Sequence, residues 1–333
     1  MSYALSKWHN DRHFWTVILP FLSSAVLRKA FLRVKENHGC AGADEVSLAC
    51  FESGLDGQLD LLRRMVEDGS YFAWPLRKIE VEKSPGSEER RTLLVPAVRD
   101  RVLQTAVAAY MEPFLEAEFD ECSFAYRRGR SVRMAVERVY QLYHQGYIWL
   151  LDADIESFFG SVNREIAIGR LSTLIPDETV IRLVRLWLDS PIWDGLHLTR
   201  PSLGLPQGAV ISPMIANLCL DVLDDRLLAE GLKMVRYADD FVVLTKGRKA
   251  AERAQALTEE VLASLRLRLN DRKTRIVRFS EGFKFLGTIF LKDLLLQPWK
   301  PGRKRLKVLS VAPPLPESFF PQSEHRPLRH YRI

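Results

Sequence analysis

The chain has 333 residues, of which 47% are hydrophobic and 27% are charged, and this ordinary globular composition is enough for one large domain or two subdomains with a sizeable core. The formal net charge of +6 and a pI near 9.1 favour an acidic partner such as nucleic acid, although a soluble enzyme with a basic surface has the same balance. Four scattered cysteines, with no CxxC pair and no histidine at metal-ligand spacing, exclude a recognisable zinc motif.

The most apolar N-terminal segment, "FWTVILPFLSSAVL", is too short to span a bilayer. It contains Pro20 and lacks the small-residue pattern of a signal-peptide cleavage site. Scattered cysteines fit reduced thiols. We therefore expect a cytoplasmic protein that is neither secreted nor inserted into a membrane.

The first third of the chain mixes helices and strands. Apolar residues at helical spacing in "AVLRKAFLRVKE" predict a helical extension over residues 1–66, which includes the Gly-rich connection "NHGCAGADEVS". Two short strands joined by the polar turn "SPGSEE" follow, and then an amphipathic helix over "DRVLQTAVAAYMEPFLEAEF". These patterns favour an α+β fold.

The next segments continue that mixture. A buried-type strand is predicted over "YIWLLDADI", followed by helices over "EIAIGRLSTLI" and "ETVIRLVRLWL". The tight loop "PSLGLPQG" leads into the helix "AVISPMIANLCLDVLDDRLLAEG". A further helix over "AAERAQALTEEVLASLRLRL" is predicted to end at Asn270, before strand character resumes in "KTRIVRF" and "FKFLGTIF". Residues 291–333, rich in proline and basic residues, predict an extended tail or linker.

Two groups of carboxylates interrupt apolar segments. Asp239 and Asp240 join two short Val-rich runs, which predicts a β-hairpin with both carboxylates at its tip. Asp152 and Asp154 are two apart on a strand and so face the same side, with Asp154 at its end. Hard oxygen ligands on rigid elements suit a two-metal site. The other interpretation of Asp239 and Asp240 is an exposed turn.

Five motifs in sequence order resemble those of reverse transcriptases, specifically the bacterial group II intron-like branch. They are "LDADIESFFGSV", "GLPQGAVISPMIANL", "RYADDFVVL", "LRLNDRKTRIVRF" and "FKFLGTIF". With the upstream motifs, the resemblance runs from about Leu27 to Phe290. It implies a right-hand polymerase with fingers and palm over residues 67–290, the palm being an antiparallel sheet backed by helices. About forty residues of tail cannot form a thumb bundle, so we expect the thumb to be reduced or absent.

The resemblance also implies a metal site. Asp154, Asp239 and Asp240 match the family's metal ligands, and the backbone carbonyl of Ile155 completes one coordination shell. The implied cofactor is a pair of Mg²⁺ ions, for which Mn²⁺ can substitute. Asp152 is then a supporting carboxylate, because the family's ligand is the aspartate of the "DI" pair.

Four further residues match nucleotide-binding positions. Phe159 matches the aromatic gate that favours deoxynucleotides by clashing with a 2′-hydroxyl, and its alternative role is that of a core aromatic, the role expected of Phe158. Gln207 matches a residue that packs on the nucleotide and template pair. Arg91 and Lys83 match fingers positions that hold the triphosphate, whereas without the resemblance "EERR" is a solvated charge run.

Other matches concern the leaving group and the nucleic acid. Lys273 matches a lysine that protonates or neutralises pyrophosphate, and otherwise it is a solvated lysine. The glycines of "GLPQG", Gly204 and Gly208, let backbone approach the nucleic acid. "FLGTIF" resembles the primer grip or is an apolar core strand, and "FAYRRGRSVR" supplies a basic element for the template or is a solvated loop. The residues concerned are Phe285, Leu286 and Gly287 in the first, and Arg127, Arg128, Arg130 and Arg133 in the second.

The implied activity is RNA-directed DNA synthesis from a DNA or RNA primer, an RNA template and deoxynucleotides. "CSFAYRRGRS", "RYADDFVVL" and "GFKFLGTIF" resemble most closely the reverse transcriptases of CRISPR adaptation modules, which implies a Cas1–Cas2 partner and a role in antiviral defence. Retron and other phage-defence branches share the same core. A second hypothesis is a nucleic-acid-binding subunit of an integrase or phage-defence complex, whose polymerase activity depends on a partner. A third, an RNA-templated RNA polymerase, is disfavoured by Phe159.

Overall fold

The computed structural model describes residues 20–84, 86–292, 294–296, 308–311, 313, 315 and 316. Within them the α-helices are α1 Ser24–Glu36, α2 Leu48–Ser53, α3 Leu55–Glu67, α4 Val98–Glu118, α5 Val132–His144, α6 Phe158–Ser161, α7 Arg164–Leu174, α8 Glu178–Leu188, α9 Ser212–Ala229 and α10 Arg248–Ser264. The strands are β1 Leu76–Glu82, β2 Arg90–Val95, β3 Trp149–Asp154, β4 Ile192–Trp193, β5 Leu198–Thr199, β6 Lys233–Tyr237, β7 Asp240–Thr245, β8 Arg275–Arg278, β9 Phe283–Phe285, β10 Thr288–Leu291, β11 Leu294–Leu296 and β12 Val308–Val311.

Several helices begin where a short polar side chain caps them. Ser23, Ser131, Asn163 and Asp177 each accept a hydrogen bond from a backbone N–H in the first turn of the helix that follows. Such caps satisfy backbone donors that have no partner inside the helix. The beginnings of α1, α5, α7 and α8 are therefore set by nearby residues.

A four-stranded sheet, here called the palm sheet, lies at the centre of the described chain. Its order is β6–β7–β3–β8, and every pair in it is antiparallel. Successive residues of β3 and β7 alternate between two hydrophobic cores. One core contains residues of α4, α9 and α10, and the other contains residues of α5, β9 and β10. The predicted α+β class and antiparallel palm sheet backed by helices are confirmed.

A second sheet, here called the fingers sheet, joins β1 and β2 to distant parts of the chain. Its order is β12–β1–β4–β5, with β2 also paired to β1. The β12 strand runs antiparallel to β1, and Leu315 N–H donates to Ala43 O at 3.2 Å. We predicted an extended tail from residue 291. Its described parts instead supply β11 and β12, because backbone groups along the edge of β1 take a pairing strand.

The predicted end of the helix before Asn270 was wrong. The α10 helix ends at Ser264, and Arg266 has a left-handed φ of +59°. Leu267 N–H donates to Leu262 O at 2.8 Å, which closes the helix in a Schellman-type turn. The following residues are then free to run beside the end of β3.

Some predictions concern residues that the structure describes only in part. Residues 1–19 lie outside the described residues, so the helical extension is seen only from its 3₁₀ turn at Pro20–Leu22 onwards. The expected lack of a thumb concerns residues beyond β11, most of which also lie outside them. In the described part of the chain, no helix combines the length and apolar character needed to cross a membrane.

Candidate active site

The β6–β7 hairpin and the end of β3 place three aspartates at one end of the palm sheet. Tyr237 pairs with Asp240 across the hairpin, and Ala238 and Asp239 form its turn. Ala238 has a left-handed φ of +61°. On the other side of β7, Asp240 pairs directly with Asp154, the last residue of β3. Residues directly opposite on antiparallel strands have Cβ atoms about 5 Å apart, so the carboxylates are close neighbours.

The electrostatics of this end of the sheet disfavour uncompensated negative charge. Although Asp240 is exposed, partial desolvation of its carboxylate raises its pKa to about 7, with further contributions from the charges of Asp152, Asp239 and Asp154. Burial, with Asp154 adding to it, also raises the pKa of Asp239. A nearby cation would relieve this repulsion.

Asp154 is held by two neighbours from the segment after α10. Lys273 Nζ donates to both oxygens of Asp154, at 3.2 and 3.0 Å, and Asn270 Nδ2 donates to Oδ2 at 3.1 Å. Across the described residues, no three His, Cys, Asp or Glu side chains surround a common metal position. Asp154, Asp239 and Asp240 supply the carboxylate oxygens that a divalent cation prefers.

The carbonyl of Ile155, the predicted backbone ligand, lies in a bridge whose hydrogen bonds are made by other residues. Ile155 forms an isolated antiparallel bridge with Leu269. The two hydrogen bonds of this bridge, of 3.0 and 2.8 Å, are made by the residues on either side of that pair. The bridge therefore does not consume the carbonyl of Ile155. The Ile155 side chain is buried in the core.

Asp152 is occupied by an arginine on the neighbouring strand. Arg275 donates from Nε and Nη2 to Asp152 Oδ2, at 3.1 and 3.0 Å. Burial raises the pKa of Asp152, and Arg275 opposes that rise. This ion pair is consistent with a supporting role for Asp152.

The predicted nucleotide-binding residues lie beside the fingers strands. Arg91 Nε donates to Gln207 Oε1 at 3.4 Å, so these two residues lie together. Lys83 is instead ion-paired with Glu89 at 2.6 Å across the β1–β2 turn. The pKa of Glu89 is lowered first by Lys83 and also by Lys273, so the β1–β2 turn lies within electrostatic range of the catalytic end of the palm.

Phe159 lies in the short helix that follows the catalytic strand. It is partly buried and makes an edge contact with the fully buried Phe158, at 5.5 Å between ring centroids. Its carbonyl accepts a hydrogen bond from Leu205 N–H at 2.6 Å. The loop "GLPQG" therefore fixes the backbone of Phe159, while the ring of Phe159 stays only partly buried.

The two glycines of that loop are packed against this chain's own backbone. Gly204 and Gly208, which we predicted to let backbone approach the nucleic acid, are each in close contact with a backbone carbonyl. A Cβ on Gly204 would lie 2.8 Å from Phe159 O, and a Cβ on Gly208 would lie 2.9 Å from Leu94 O. Both also have positive φ, of +89° and +115°. Internal packing and backbone conformation account for these glycines.

The assignment of Arg127 to nucleic-acid binding is also corrected. Only 4% of its side chain is exposed, and its guanidinium is ion-paired with Glu116 at 2.6 Å. It also donates to the backbone carbonyls of Phe119, Asp120 and Ser123. A guanidinium enclosed by these acceptors cannot reach a phosphate, so Arg127 holds the loop in shape.

The other three arginines of this element lie nearer the surface. Arg128 is exposed and pairs with Glu112 at 3.2 Å. Arg133 is 81% exposed and pairs with Glu137 at 3.3 Å. Arg130 is half-buried and lies over the ring of Phe124 at 5.3 Å. Exposed ion pairs contribute little to stability, so Arg128 and Arg133 can exchange their partners for phosphates.

The predicted primer-grip segment forms a tight hairpin between β9 and β10. Leu286 and Gly287 both have positive φ, of +49° and +76°, as a two-residue type I′ turn requires. The ring of Phe285 is buried, whereas Leu286 and Gly287 are half-buried. Phe285 thus belongs to the core, and the turn itself is the part of the segment available for contact.

Sequence reasoning missed Arg236. Its side chain is 0% exposed and is ion-paired with the equally buried Asp224 at 2.5 Å. It also donates from Nη1 to Asn217 Oδ1 at 2.9 Å and to Ala238 O at 3.1 Å. Arg236 therefore ties the left-handed residue of the catalytic turn to α9. An arginine inside the apolar run "KMVRYADD" was the available signal.

Tyr126 and Asn270 were missed as well. Tyr126 has a left-handed φ of +58°, is 55% exposed and lies within electrostatic range of both Asp239 and Arg91. Residues in rarely adopted backbone conformations often cluster at functional sites, and Tyr126 lies beside the turn that carries Asp239. The short distance in sequence between Asn270 and Lys273 was the available signal for Asn270.

Comparisons with known proteins show the family of this chain. The family description "Reverse transcriptase (RNA-dependent DNA polymerase)" matches residues 81–290. Protein YkfC of Escherichia coli K12 is 31% identical over 287 residues, which cover 74% of each chain. The group II intron-encoded protein LtrA of Lactococcus lactis subsp. cremoris is 25% identical over 289 residues, covering 67% of this chain and 48% of LtrA. The chain thus spans about half the length of LtrA.

A solved structure is also similar to this chain. A chain of the partial Cas6-RT-Cas1–Cas2 complex is 28% identical, with 75% of this chain and 42% of that chain covered and a TM-score of 0.47. The family match covers the aspartates of β3 and β7, Gln207 and Lys273. It also spans the palm sheet and β2. This chain belongs to the reverse transcriptase family, the RNA-dependent DNA polymerases, and resembles its group II intron-like members.

Proposed function

We propose that this protein extends a primer on an RNA template with deoxynucleotides, and that Asp154, Asp239 and Asp240 are its metal ligands. The observation that carries the proposal is the direct pairing of Asp154 with Asp240 on β3 and β7, with Asp239 in the adjoining turn. Mg²⁺, or Mn²⁺ in its place, would supply charge stabilisation at the attacking 3′-oxygen and at the leaving pyrophosphate.

In the proposed reaction, the primer 3′-oxygen forms a bond to the α-phosphorus, and the bond from that phosphorus to the β-phosphate bridge breaks. Arg91 is suited to the triphosphate, since its planar guanidinium meets phosphate oxygens in pairs and already lies at Gln207. Lys273 is suited to the departing pyrophosphate, because its ammonium lies at Asp154 yet is 62% exposed. Lys83 must leave Glu89 before it can contribute.

We propose that Phe159 selects deoxynucleotides. Its backbone is fixed by Leu205 while its ring stays partly exposed, so a 2′-hydroxyl would meet a ring that cannot retreat far. Phe159→Ala should raise ribonucleotide incorporation relative to deoxynucleotide incorporation. Phe158→Ala, its buried neighbour, should reduce stability without that change in preference, since the cost is one of core packing. Equal nucleotide preference in Phe159→Ala and wild type would reject the gate.

The test of the activity is extension of a DNA primer on an RNA template with Mg²⁺ and deoxynucleotides. Wild type should extend the primer, and Asp239→Ala and Asp240→Ala should not, while all three bind the duplex. Folded wild type that binds the duplex and extends nothing would contradict the proposal for the isolated chain. A partner-dependent role would then take its place.

For the biological setting we propose spacer acquisition from RNA beside a Cas1–Cas2 integrase. Its support is the resemblance of "CSFAYRRGRS" and "GFKFLGTIF" to reverse transcriptases of CRISPR adaptation modules. Extension should be measured with and without the integrase, and RNA-derived sequence should be sought in its integration products. Integration of RNA-derived sequence that needs an intact Asp239 supports this setting. A large gain in processivity on adding the integrase favours the partner-dependent subunit. Integration of RNA-derived sequence that is unchanged by Asp239→Ala contradicts both the spacer-acquisition setting and the partner-dependent polymerase.

A further inference from the structure

Both the nitrogen and the oxygen of the Asn270 side-chain amide form hydrogen bonds. Its Nδ2 donates to Asp154 Oδ2 at 3.1 Å, and its Oδ1 accepts from Arg272 N–H at 3.2 Å. The second bond is an Asx-turn, which shapes the segment that presents Lys273. We infer that Asn270 is a positioning residue that orients the carboxylate of Asp154 for metal binding.

The backbone supports the same contact. Asn270 N–H donates to Asp154 O at 2.8 Å, while the Asn270 carbonyl accepts from the N–H groups of Lys273 and Thr274 at 3.0 and 2.9 Å. Thr274 Oγ1 lies 3.4 Å from Asp154 N and 3.5 Å from Asp154 O. Asn270 and Asp154 are thus held together by main-chain bonds, so the amide reaches the carboxylate with little remaining freedom.

The chemistry of the two donors to Asp154 differs. Lys273 brings a positive charge that competes with a metal ion for the same two oxygens. The amide of Asn270 is neutral, so it can stay on Oδ2 when a cation binds to the carboxylate. Hydrogen bonds of this kind to a ligating carboxylate fix its orientation, and their loss typically lowers metal affinity or activity by about 10–100-fold.

This inference rests on the proposed function of Asp154, and Asn270→Ser tests it. Serine keeps an oxygen that can accept from Arg272 N–H but is too short to donate to Asp154. Binding of Mn²⁺ to the protein–primer–template complex is followed by the loss of the free-ion electron paramagnetic resonance signal. We expect about 10–100-fold weaker Mn²⁺ binding and a matching rise in the Mg²⁺ needed for half-maximal extension. Melting temperature and metal-free duplex binding should equal those of wild type.

The control is Asn37→Ser, at an exposed asparagine that donates to a backbone carbonyl in α1. It should match wild type in every measurement. Wild-type Mn²⁺ affinity and Mg²⁺ dependence in Asn270→Ser would overturn the inference. If Asn270→Ser melts at lower temperature, Asn270→Thr replaces it, because threonine is neutral, keeps a side-chain oxygen as acceptor and is too short to donate to Asp154. Weaker Mn²⁺ binding by a stable Asn270→Thr supports the inference, and wild-type Mn²⁺ binding overturns it.

The same assay separates this inference from the proposed function. Asp154→Asn should abolish extension. If Asp154→Asn extends as wild type does, the proposed function fails whatever Asn270→Ser shows. If Asp154→Asn is inactive and Asn270→Ser is unchanged, only the positioning role fails.

Discussion

Asp154 and Asp240 are directly paired across β3 and β7, although they are 86 positions apart in the chain. This pairing places two carboxylates side by side, and Asp239 lies in the adjoining turn. Asp240 is exposed at the start of β7, yet desolvation of its carboxylate, together with the like charges of Asp152, Asp239 and Asp154, raises its pKa to about 7. Perturbed carboxylates of this kind cluster at functional sites.

We predict that Asp240→Asn abolishes primer extension without lowering the free energy of unfolding. The substitution removes a ligand and also removes repulsion from Asp152, Asp239 and Asp154. Extension assays and denaturant unfolding in metal-free buffer measure the two effects. Asp271→Asn, an exposed aspartate after α10, is the control and should stay active. Marked destabilisation of Asp240→Asn would show that Asp240 has a structural role.

The buried ion pair behind the catalytic turn gives a second prediction. Arg236→Ala should lower the free energy of unfolding by about 3–5 kcal/mol, because Asp224 would be left charged and buried. Denaturant unfolding measures the loss. The double variant Arg236→Met with Asp224→Leu should recover much of it. It should remain poorly active, because Ala238 O loses its donor. A double variant as unstable as Arg236→Ala would contradict the charge argument.

Two arginines six positions apart should behave differently. Arg133→Ala should weaken duplex binding and reduce the salt dependence of binding by about one unit, with stability unchanged, since Arg133 is exposed. Binding should be measured over a series of salt concentrations. Identical salt dependence in Arg133→Ala and wild type would show that Arg133 does not contact the nucleic acid.

Arg127→Ala should instead lower the free energy of unfolding by about 2–4 kcal/mol, because three buried or partly buried carbonyls would lose their donor. Thermal and denaturant unfolding measure this. At a temperature where the variant is folded, the salt dependence of duplex binding should equal that of wild type. A stable Arg127→Ala with altered salt dependence would restore the original assignment of Arg127 to nucleic-acid binding.

Asp221, one of two buried aspartates of α9, predicts a pH dependence of the free energy of unfolding. Burial, followed by the charges of Asp225 and Asp224, raises the pKa of Asp221 to about 7, against the opposing charge of Arg170. In the unfolded chain an aspartate ionises near about 4. Between these values the unfolded state binds fewer protons, so the contribution of Asp221 to stability falls as pH rises from about 4 to about 7 and is constant above. Asp221→Asn should flatten this slope in unfolding measured at a series of pH values, and an unchanged slope would contradict the prediction.

Local sequence determined where the elements begin and where the chemistry lies. Caps such as Ser131 and Asp177 act within three residues, so the beginnings of α5 and α8 could be predicted. The apolar run that ends at Asp154 and the two Val-rich runs around Asp239 likewise predicted the strand and the hairpin. The family resemblance was available for the same reason, because its motifs are contiguous.

Only the tertiary structure decided which of several similar residues are buried, paired or exposed. Arg127 and Arg133 both belong to one basic element, but only Arg127 meets Glu116 and a set of backbone carbonyls. Gly208 lies against the carbonyl of Leu94, which leaves no room for a Cβ. Asn270 donates to Asp154, which lies 116 positions earlier in the chain. The physical reason is range: caps and periodicity act within a few residues, whereas burial, ion pairing and close backbone contact depend on segments that meet only after the chain has folded.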